Sequence, residues 1–258
     1  MAVPVARSGA HDPVGAGVRL GLISDIHGNA LALDAVLAEL EEARVDRLVC
    51  LGDVAVGPQA VETLERVREL GCPVVMGNWD AFYLGARPAA ETEVARALAE
   101  IADFWGEALT DEHRAFIETF VPRLDLRAGA TDVVCVHGSP KSYDDWIFST
   151  TPDEELAELL AGVPERALVL GGHTHVQMVR GHERLVVVNP GSVGMPFLDS
   201  WPRSVRIGTW AEYAVVTVED GRLALDLHRT SYDADAFLHV SRESGMPHAD
   251  WWLGTWSD

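Results

Sequence analysis

The feature that most constrains this chain is a short apolar run followed at once by a polar cluster, an arrangement that occurs five times. The five clusters are Asp25 to Asn29, Gly52-Asp53, Gly77 to Asp80, His137 to Ser139 and Gly171 to His175. Apolar runs of this length are typical of buried strands. In open α/β sheets, ligands bind in the crevice at the carboxyl ends of the strands. We therefore expect these polar side chains to form a ligand site rather than to serve packing alone.

The segments between the first clusters have helical periodicity. Apolar residues recur at i, i+3, i+4 and i+7 over residues 33–40, and a second helix over 61–70 ends at Gly71. A third strand is predicted at 73–76, so strand and helix alternate as in βαβ units on a mainly parallel sheet. Near the end of the chain, Asp220-Gly221 predicts a tight hairpin between antiparallel strands. We expect a second sheet packed on the first.

The length of 258 residues suits one large domain or two small ones, and we interpret residues 18–258 as a single domain. Residues 1–17 are expected to form a loose leader, since they lack the apolar core of a signal peptide. Apolar stripes predict a helical insertion at about 88–122, which is too short for a core of its own. A C-terminal helix and tail carry Trp251, Trp252 and Trp256. We expect these tryptophans to dock on the body or on a partner rather than bind a ligand.

The charge and the cysteine content of the chain limit which partners and which cellular compartment we expect. Acidic residues outnumber basic ones by 40 to 20, which gives a formal net charge of −20. This balance argues against long nucleic acids and anionic membranes, because both require clustered basic charge. No apolar stretch reaches the roughly 18 residues of a membrane helix. Cys50 and Cys135 lie in apolar runs and are expected to be buried, reduced thiols of a cytoplasmic protein.

The polar clusters supply the ligand types of a divalent metal site. Asp, His and Asn side chains suit ions of intermediate hardness such as Mn²⁺, Fe²⁺, Co²⁺, Ni²⁺ or Zn²⁺. Asp25 and His27 are spaced by two residues, as are His173 and His175, so each pair shares a face in extended chain. There are enough ligands for two ions, and a carboxylate must then bridge them, because two close cations repel.

Each cluster alone has an ordinary structural explanation. A Gly-Asp pair such as Gly52-Asp53 often forms only a turn, Asn78 could cap a helix, and His137 could be a core histidine. Their joint occurrence after successive strands favours the metal site. The other histidines (His11, His113, His182, His228, His239 and His248) have no such context and are interpreted as surface or tail residues.

These residues resemble the signature of calcineurin-like metallophosphoesterases. The matching motifs are Asp25-x-His27, Gly52-Asp53, Gly77-Asn78-x-Asp80, His137 and Gly172-His173-x-His175. The segments 22–29 and 189–194 are similar to the small bacterial branch, which includes phosphodiesterases and relatives of diadenosine tetraphosphatase. The resemblance covers roughly 18–229. It implies an α/β fold, a four-layer αββα sandwich of two mixed β-sheets flanked by helices.

The resemblance also implies the roles of the site residues. The first metal would be held by Asp25, His27 and His175. The second would be held by Asn78, His137 and His173, with Asp53 as the bridge and Asp80 in support. Two divalent ions are implied for each chain, with Mn²⁺ preferred over Fe, Ni, Co, Zn or Mg. A water or hydroxide between the ions would be the nucleophile.

One position departs from the pattern. Many family members have a histidine after the asparagine, where it contacts phosphate or protonates the leaving group, but this chain has Trp79. An indole N–H donates a hydrogen bond but cannot shuttle a proton at neutral pH. We therefore hypothesise that the enzyme works best on esters with good leaving groups, or recruits another acid.

Three further residues are candidates for the substrate side, namely Asn29, Ser192 and Arg203. Asn29 and Ser192 lie in the resembling loops, and a guanidinium such as that of Arg203 suits phosphate. Turn roles for the first two and a surface role for the arginine are equally good interpretations.

The function that these observations favour is a metal-dependent phosphoesterase acting on a small phosphodiester or a nucleotide-like phosphomonoester. Alternatives are a protein phosphatase, a dinucleoside polyphosphate hydrolase, or a metal-retaining protein-interaction scaffold with little catalysis. Homo-oligomerisation is compatible with the sequence. The acidic exterior favours small substrates that contact only the pocket, where bound cations would dominate the local field.

Overall fold

The computed structural model describes residues 6–7, 17–87, 90–199 and 205–257. The strands are β1 (Ala6–Arg7), β2 (Val18–Ile23), β3 (Arg47–Cys50), β4 (Leu124–Ala128), β5 (Thr131–Cys135), β6 (Leu168–Leu170), β7 (Met178–His182), β8 (Leu185–Asn189), β9 (Phe197–Asp199), β10 (Arg206–Ile207), β11 (Trp210–Glu219) and β12 (Arg222–Ser231). The helices are α1 (Ala30–Glu42), α2 (Ala60–Leu70), α3 (Asn78–Tyr83), α4 (Glu93–Gly106), α5 (Asp111–Ile117), α6 (Asp153–Leu159), α7 (Ala234–Glu243) and α8 (Ala249–Leu253). The leader expected at 1–17 lies outside the described residues, except for 6–7 and Gly17.

Two mixed sheets dominate the fold. One has six strands in the order β1-β4-β5-β6-β8-β7, in which β5, β6 and β8 are parallel. Strand β4 is antiparallel to β5 and parallel to β1, and β7 is antiparallel to β8. The other has four strands in the order β12-β11-β2-β3, with β2 and β3 parallel and β11 antiparallel to β2. Strands β11 and β12 form the hairpin predicted at Asp220-Gly221. These sheets confirm the predicted α/β fold with two mixed sheets.

Alternation along the strands builds the layers, because successive side chains of a strand point to opposite faces. Leu20 and Leu22 of β2 pack between the sheets with Val133 of β5. Val134 of β5 faces the opposite side, where it packs with Leu156 of α6. Helices α1 and α2 cover the outer face of the four-stranded sheet. The result is the expected order of helix, sheet, sheet and helix.

One strand prediction is wrong. The run at 73–76 forms isolated bridges rather than a strand, pairing Val74 with Cys50 and Val75 with Val121. Consecutive residues of this run bond to different partners, so no continuous ladder forms. The chain nevertheless passes from these bridges directly into Gly77 and α3, which keeps the third polar cluster next to the second.

Residues after Tyr83 add a helical layer beside one end of the sheets. Helices α4 and α5 lie in the region of the predicted insertion. Ile101 and Trp105 of α4 pack with Phe237 of α7 and Trp252 of α8 in one buried cluster. The imidazole of His248 also contacts the Glu100 carboxylate at 2.7 Å. The C-terminal helices therefore pack on α4.

Two further expectations concern the whole chain. No helix in the described ranges is both long and apolar enough to span a membrane. The three cysteines are free thiols, and Cys50 and Cys135 are buried. Burial raises the pKa of the Cys135 thiol well above its usual range, which keeps this thiol protonated and unreactive.

Candidate metal centre

Six of the seven expected ligands form two compact groups. The first group is Asp25, His27 and His175, and the second is Asp53, His137 and His173. Within each group the ligand atoms lie within 4.8 Å of one another, and all six residues are buried. Each residue follows a strand or bridge at the same end of the sheets. The structure thus brings together side chains that are as many as 150 residues apart in the chain.

The first group is tightly clustered around the imidazole of His175. Its Nε2 lies 3.0 Å from Nε2 of His27 and 3.2 Å from Oδ1 of Asp25. The Nδ1 of His175 lies 2.7 Å from the carbonyl of Met195, so Nδ1 carries the proton and donates it. This bond leaves the lone pair of Nε2 facing the carboxylate, as second-shell contacts do for metal-binding imidazoles.

The second group is organised in the same way around His137. Its Nδ1 lies 2.7 Å from the carbonyl of Leu51, which fixes the ring. Its Nε2 lies 3.4 Å from Oδ2 of Asp53 and 3.1 Å from Oδ1 of Asn78. Asn78, the seventh expected ligand, therefore joins this group at the first residue of α3.

Asp53 lies between the two groups. Its Oδ2 is 3.4 Å from Nε2 of His137 and 3.8 Å from Nε2 of His27, which belong to different groups. Its Oδ1 accepts a hydrogen bond from the backbone N–H of Trp79 at 2.9 Å. One oxygen is thus held by the protein while the other faces both sets of imidazoles, which is the position that a bridging carboxylate requires.

The backbone is strained at five of the expected ligands. Of the nine non-glycine residues with positive φ in the described part, five are expected ligands, namely Asp25, His27, Asp53, His173 and His175, with φ of 47–66°. Non-glycine residues in this left-handed region cost about 1–3 kcal/mol each and persist only where the surroundings enforce them. Their concentration here marks a site where the required directions of the side chains are maintained at a cost in backbone conformational energy.

Gly77 shows how closely the backbone is packed around the centre. A Cβ atom at this position would lie 2.1 Å from Oδ1 of Asp53 and 2.4 Å from its backbone nitrogen. Any larger residue would therefore displace the central carboxylate. Glycine is needed here because of this close approach and not because of its backbone conformation, since a φ of −87° is accessible to all residues.

Asp80 supports the centre from behind. Its carboxylate accepts hydrogen bonds from the backbone N–H groups of Asp53, Val54 and Gly77 at 2.8, 3.0 and 3.1 Å. Burial and the charge of Asp53 raise the pKa of Asp80 to about 7, although the N–H donors oppose this shift. Asp80 thus ties the second cluster to the third, in keeping with its expected supporting role.

The imidazoles are tuned to different protonation states. Burial, with the charge of neighbouring imidazoles, lowers the pKa of both His27 and His173 to about 4, so both rings are neutral near pH 7. Burial opposes protonation of His137 as well, but Asp53 and Asp25 outweigh it and raise the pKa to about 10. For Asp25, burial is outweighed by His175 and His137, which hold its pKa well below the usual range. Neutral imidazoles and ionised carboxylates are the forms that bind metals.

Two buried polar atoms of the site have no hydrogen-bond partner, which bears on whether the site fits metal ions. Oδ1 of Asp25 and Nε2 of His173 are inaccessible to solvent, and neither has a hydrogen-bond partner. Buried polar atoms are rarely left unsatisfied, and each such atom calls for a specific explanation such as a bound ion. Together with the Asp, His and Asn donor set, these atoms fit divalent cations of intermediate hardness.

Two of the three candidate substrate residues are not at a substrate surface. Asn29 is fully buried, and its amide caps α1 at Ala32 N–H and donates to Tyr232 Oη. The hydroxyl of Ser192, also fully buried, donates to the carbonyl of Asp25 and accepts from the N–H of Met195. Their burial gives the predicted substrate role no support, and that role stays a prediction. Arg203 lies outside the described residues.

A cleft of about 230 Å³ adjoins the candidate metal centre. Its aromatic wall consists of Trp79, Trp105, Trp146, Phe197 and Trp252, and we call this cleft the aromatic pocket. The wall combines residues from α3, α4, α8, the segment before α6 and β9. Of these five aromatic residues, the sequence identifies only Trp79 as a site residue. The abundance of tryptophan, eight in the chain, was the available signal, but it does not reveal which side chains converge.

Comparison with known proteins gives a consistent set of similarities. A profile of the calcineurin-like phosphoesterase superfamily domain matches residues 18–221. An uncharacterized protein of Methanocaldococcus jannaschii is 28% identical over 253 residues, which cover 91% of this chain and 95% of that protein. The crystal structure of a metallophosphoesterase from Sphaerobacter thermophilus is 26% identical with a TM-score of 0.70, covering 92% of this chain and 98% of that one. A hypothetical protein from Pyrococcus horikoshii OT3 shares the fold, with 21% identity, a TM-score of 0.71 and coverage of 89% and 94%.

Proposed function

Because the chain belongs to the calcineurin-like phosphoesterase superfamily and is a metal-dependent phosphoesterase, we propose a function for the site described above. The protein uses two divalent cations to hydrolyse a small phosphodiester or phosphomonoester of nucleotide-like size. The observation that carries the proposal is the pair of buried ligand groups facing each other across Asp53. A single cation would leave one of these groups unused. Mn²⁺ is the preferred ion, with Fe, Ni, Co, Zn or Mg as alternatives.

The proposed assignment of ligands follows the two groups. Asp25, His27 and His175 hold one ion. His137, His173 and Asn78 hold the other, and Asp53 is shared. When bound, two such ions lower the pKa of a coordinated water and stabilise charge on phosphoryl oxygens.

The protein's own contribution is orientation. The carbonyls of Leu51 and Met195 accept the Nδ1 protons of His137 and His175, which keeps both Nε2 atoms directed at the centre. Asp80 and the N–H of Trp79 fix Asp53 from two sides. A prearranged set of ligands does not have to reorganise during reaction, which is a major source of catalytic power.

The lining of the aromatic pocket supports the leaving-group hypothesis. Among the described lining residues, the titratable side chains are His27, Asp53, His173 and His175, all of which are proposed ligands. None of them is free to donate a proton while it holds a cation. We therefore propose that esters whose leaving groups depart as stable anions are hydrolysed fastest.

A scaffold function is the competing proposal. It would explain the presence of Trp79 in place of the usual histidine. A metal-retaining scaffold would keep the same strained positions and buried ligand atoms, but protein contact gives it little reason to hold two ions. Turnover therefore separates the two proposals. Protein phosphatase and dinucleoside polyphosphate hydrolase activities remain alternatives within the enzyme class.

The decisive experiment is an assay of the purified protein on aryl phosphate monoesters and diesters in Mn²⁺, Ni²⁺ and Mg²⁺, beside Asp53→Ala. We expect metal-dependent turnover that Asp53→Ala abolishes, together with elemental analysis showing about two ions per chain in the wild type. The matched control is Asp34→Ala, which removes a half-exposed carboxylate paired with Arg66. If no metal supports turnover, or if Asp53→Ala equals the wild type, the proposal fails.

A further inference from the structure

We propose that the aromatic pocket binds a flat, uncharged aromatic group of the substrate, so that the preferred substrates carry one phosphoryl group and one aromatic ring system. The inference rests on the proposed phosphoesterase function, whose site it extends. It assigns a specificity role to Trp105, Trp146 and Trp252, none of which contributes a metal ligand.

The aromatic pocket is continuous with the metal centre. The ring of Trp146 lies 4.9 Å from that of His173 in an edge-on arrangement, centroid to centroid. The ring of Phe197 lies 4.3 Å from that of His175, tilted by 33°. A phosphoryl group placed against the ligands therefore has its organic substituent directly beside these rings.

The charge of the lining limits the substrate to one phosphoryl group. Among the described residues that line the aromatic pocket there is no lysine and no arginine. A second phosphate inside the cleft would be a buried anion without a partner, which is strongly unfavourable. Polyphosphate esters are thus poor candidates.

The size of the cleft limits the organic group. Its volume of about 230 Å³ is below the roughly 300–1,000 Å³ of pockets that enclose drug-sized ligands. One ring system fits such a space, whereas most of a folded peptide segment or a dinucleoside would lie outside it. This criterion disfavours phosphoproteins independently of charge.

The chemistry of the wall favours a neutral ring over a cation. Aromatic cages also bind quaternary ammonium groups through cation–π attraction. Here the aliphatic side chains of Val56, Leu98 and Ile101 also line the cleft, and they remove water from a cation while offering it no attraction of their own. Aromatic side chains stack on any base, because every base has a π-face.

Two members of the wall are packed from behind, whereas Trp146 is 38% exposed. Trp105 and Trp252 are 8% and 6% exposed, and the ring of Trp252 packs on Phe237 at 6.2 Å and Trp256 at 5.2 Å. A preformed cavity spares the ligand the entropic cost of ordering side chains. Helices α4 and α8 therefore act together as one binding wall.

The test measures binding rather than turnover. The full-length chain loaded with Mn²⁺ is titrated with phenylphosphonate and with methylphosphonate, which share the same anionic head and differ in the ring. Binding is followed by calorimetry and by quenching of tryptophan fluorescence. We expect phenylphosphonate to bind about tenfold more tightly or better, which corresponds to about 1.4 kcal/mol.

Two variants on the same helix locate the effect. Leu98→Trp fills the aromatic pocket and is expected to remove the preference for phenylphosphonate while methylphosphonate still binds. Val94→Trp, one helical turn earlier at an exposed position outside the pocket, is the control and should retain the preference. Circular dichroism of both variants establishes that they are folded.

The outcomes separate this inference from the proposed function. Equal affinity of the two phosphonates for the wild type, or a preference that survives Leu98→Trp, overturns the inference. Tighter binding of a trimethylammonioethyl phosphonate than of phenylphosphonate also overturns it in favour of a cation site. If phenylphosphonate binds selectively but no ester is hydrolysed, the inference about the aromatic pocket is supported and the proposed phosphoesterase function is refuted.

Discussion

The backbone N–H of Trp79 donates a hydrogen bond to Oδ1 of Asp53 at 2.9 Å, while its indole lines the aromatic pocket. The two parts of this residue therefore act separately. The main chain holds the central carboxylate, and the side chain occupies the position that the resemblance associates with a proton donor. Side-chain substitutions at this position leave the hydrogen bond to Asp53 available.

Trp79→His is expected to increase turnover of alkyl phosphate esters by about tenfold or more, because general acid catalysis contributes roughly 10²–10⁴-fold. Turnover of nitrophenyl esters should change little, since nitrophenolate leaves without a proton. The measurement is kcat for one ester of each kind. The control is Trp79→Phe, which keeps an aromatic ring but adds no acid. Unchanged turnover of the alkyl ester in Trp79→His would refute the leaving-group hypothesis.

Gly77→Ala is expected to lower kcat/KM by about 10²-fold or more, because an approximately 1 Å displacement at a catalytic centre has effects of this size. The added Cβ would lie 2.1 Å from Oδ1 of Asp53, so the carboxylate must move. Gly181→Ala is the control, since a Cβ at this position meets nothing within 4 Å. Kinetics and metal content of both variants are compared. Normal activity of Gly77→Ala would show that Asp53 does not need its observed position.

Asp80→Asn is expected to lower the free energy of unfolding by about 1–3 kcal/mol, the cost of leaving a buried donor unsatisfied. The carboxylate accepts three backbone N–H bonds, and an amide nitrogen cannot accept. Urea denaturation of the metal-free protein provides the measurement. Asp34→Asn, in an exposed ion pair with Arg66, should change stability by less than about 1 kcal/mol. Equal effects of the two variants would contradict a supporting role for Asp80.

Binding of Mn²⁺ near neutral pH is expected to release about one proton, because ligands must lose their protons to coordinate. The pKa of His137 is raised to about 10, so this ring is protonated before metal binds. The pKa of His27 and of His173 is lowered to about 4, so these rings release none. Metal affinity should therefore rise with pH up to about 10.

Calorimetry in buffers of different ionisation enthalpy counts the released protons. His239→Gln, which removes an exposed histidine of α7, should leave the count unchanged. A count of zero in the wild type would mean that His137 is already neutral. In the metal-free protein the raised pKa also stabilises the fold fully below about pH 6.5, and this contribution is lost as the pH rises through about 10.

The fold and the clustering of the candidate ligands follow from a pattern that is visible in the sequence. Polar residues placed directly after buried strands gather at one end of a sheet whatever the details of the loops. This explains why Asp25, Asp53 and His137 are close in the structure although they come from distant segments. Their metal-binding role stays a prediction.

Other features depend on interactions that the sequence does not display. In the sequence, the amide of Asn29 and the hydroxyl of Ser192 are equally compatible with binding a ligand and with binding the backbone. Only the structure shows that both side chains form hydrogen bonds with the backbone. The run at 73–76 has strand propensity, but its neighbours in space prevent a continuous ladder. The aromatic pocket depends on the packing of α8 against α4, a long-range contact without a local sequence signal.

The left-handed backbone at five of the proposed ligand positions would have a consequence for metal selectivity. Left-handed conformations of this kind persist only where the surrounding structure enforces them, so the fold itself holds these positions and resists remodelling. An ion with a different preferred coordination must adapt to the protein, since the chain cannot relax around it at low cost. Exchange of one metal for another should therefore alter reactivity far more than it alters the architecture of the site.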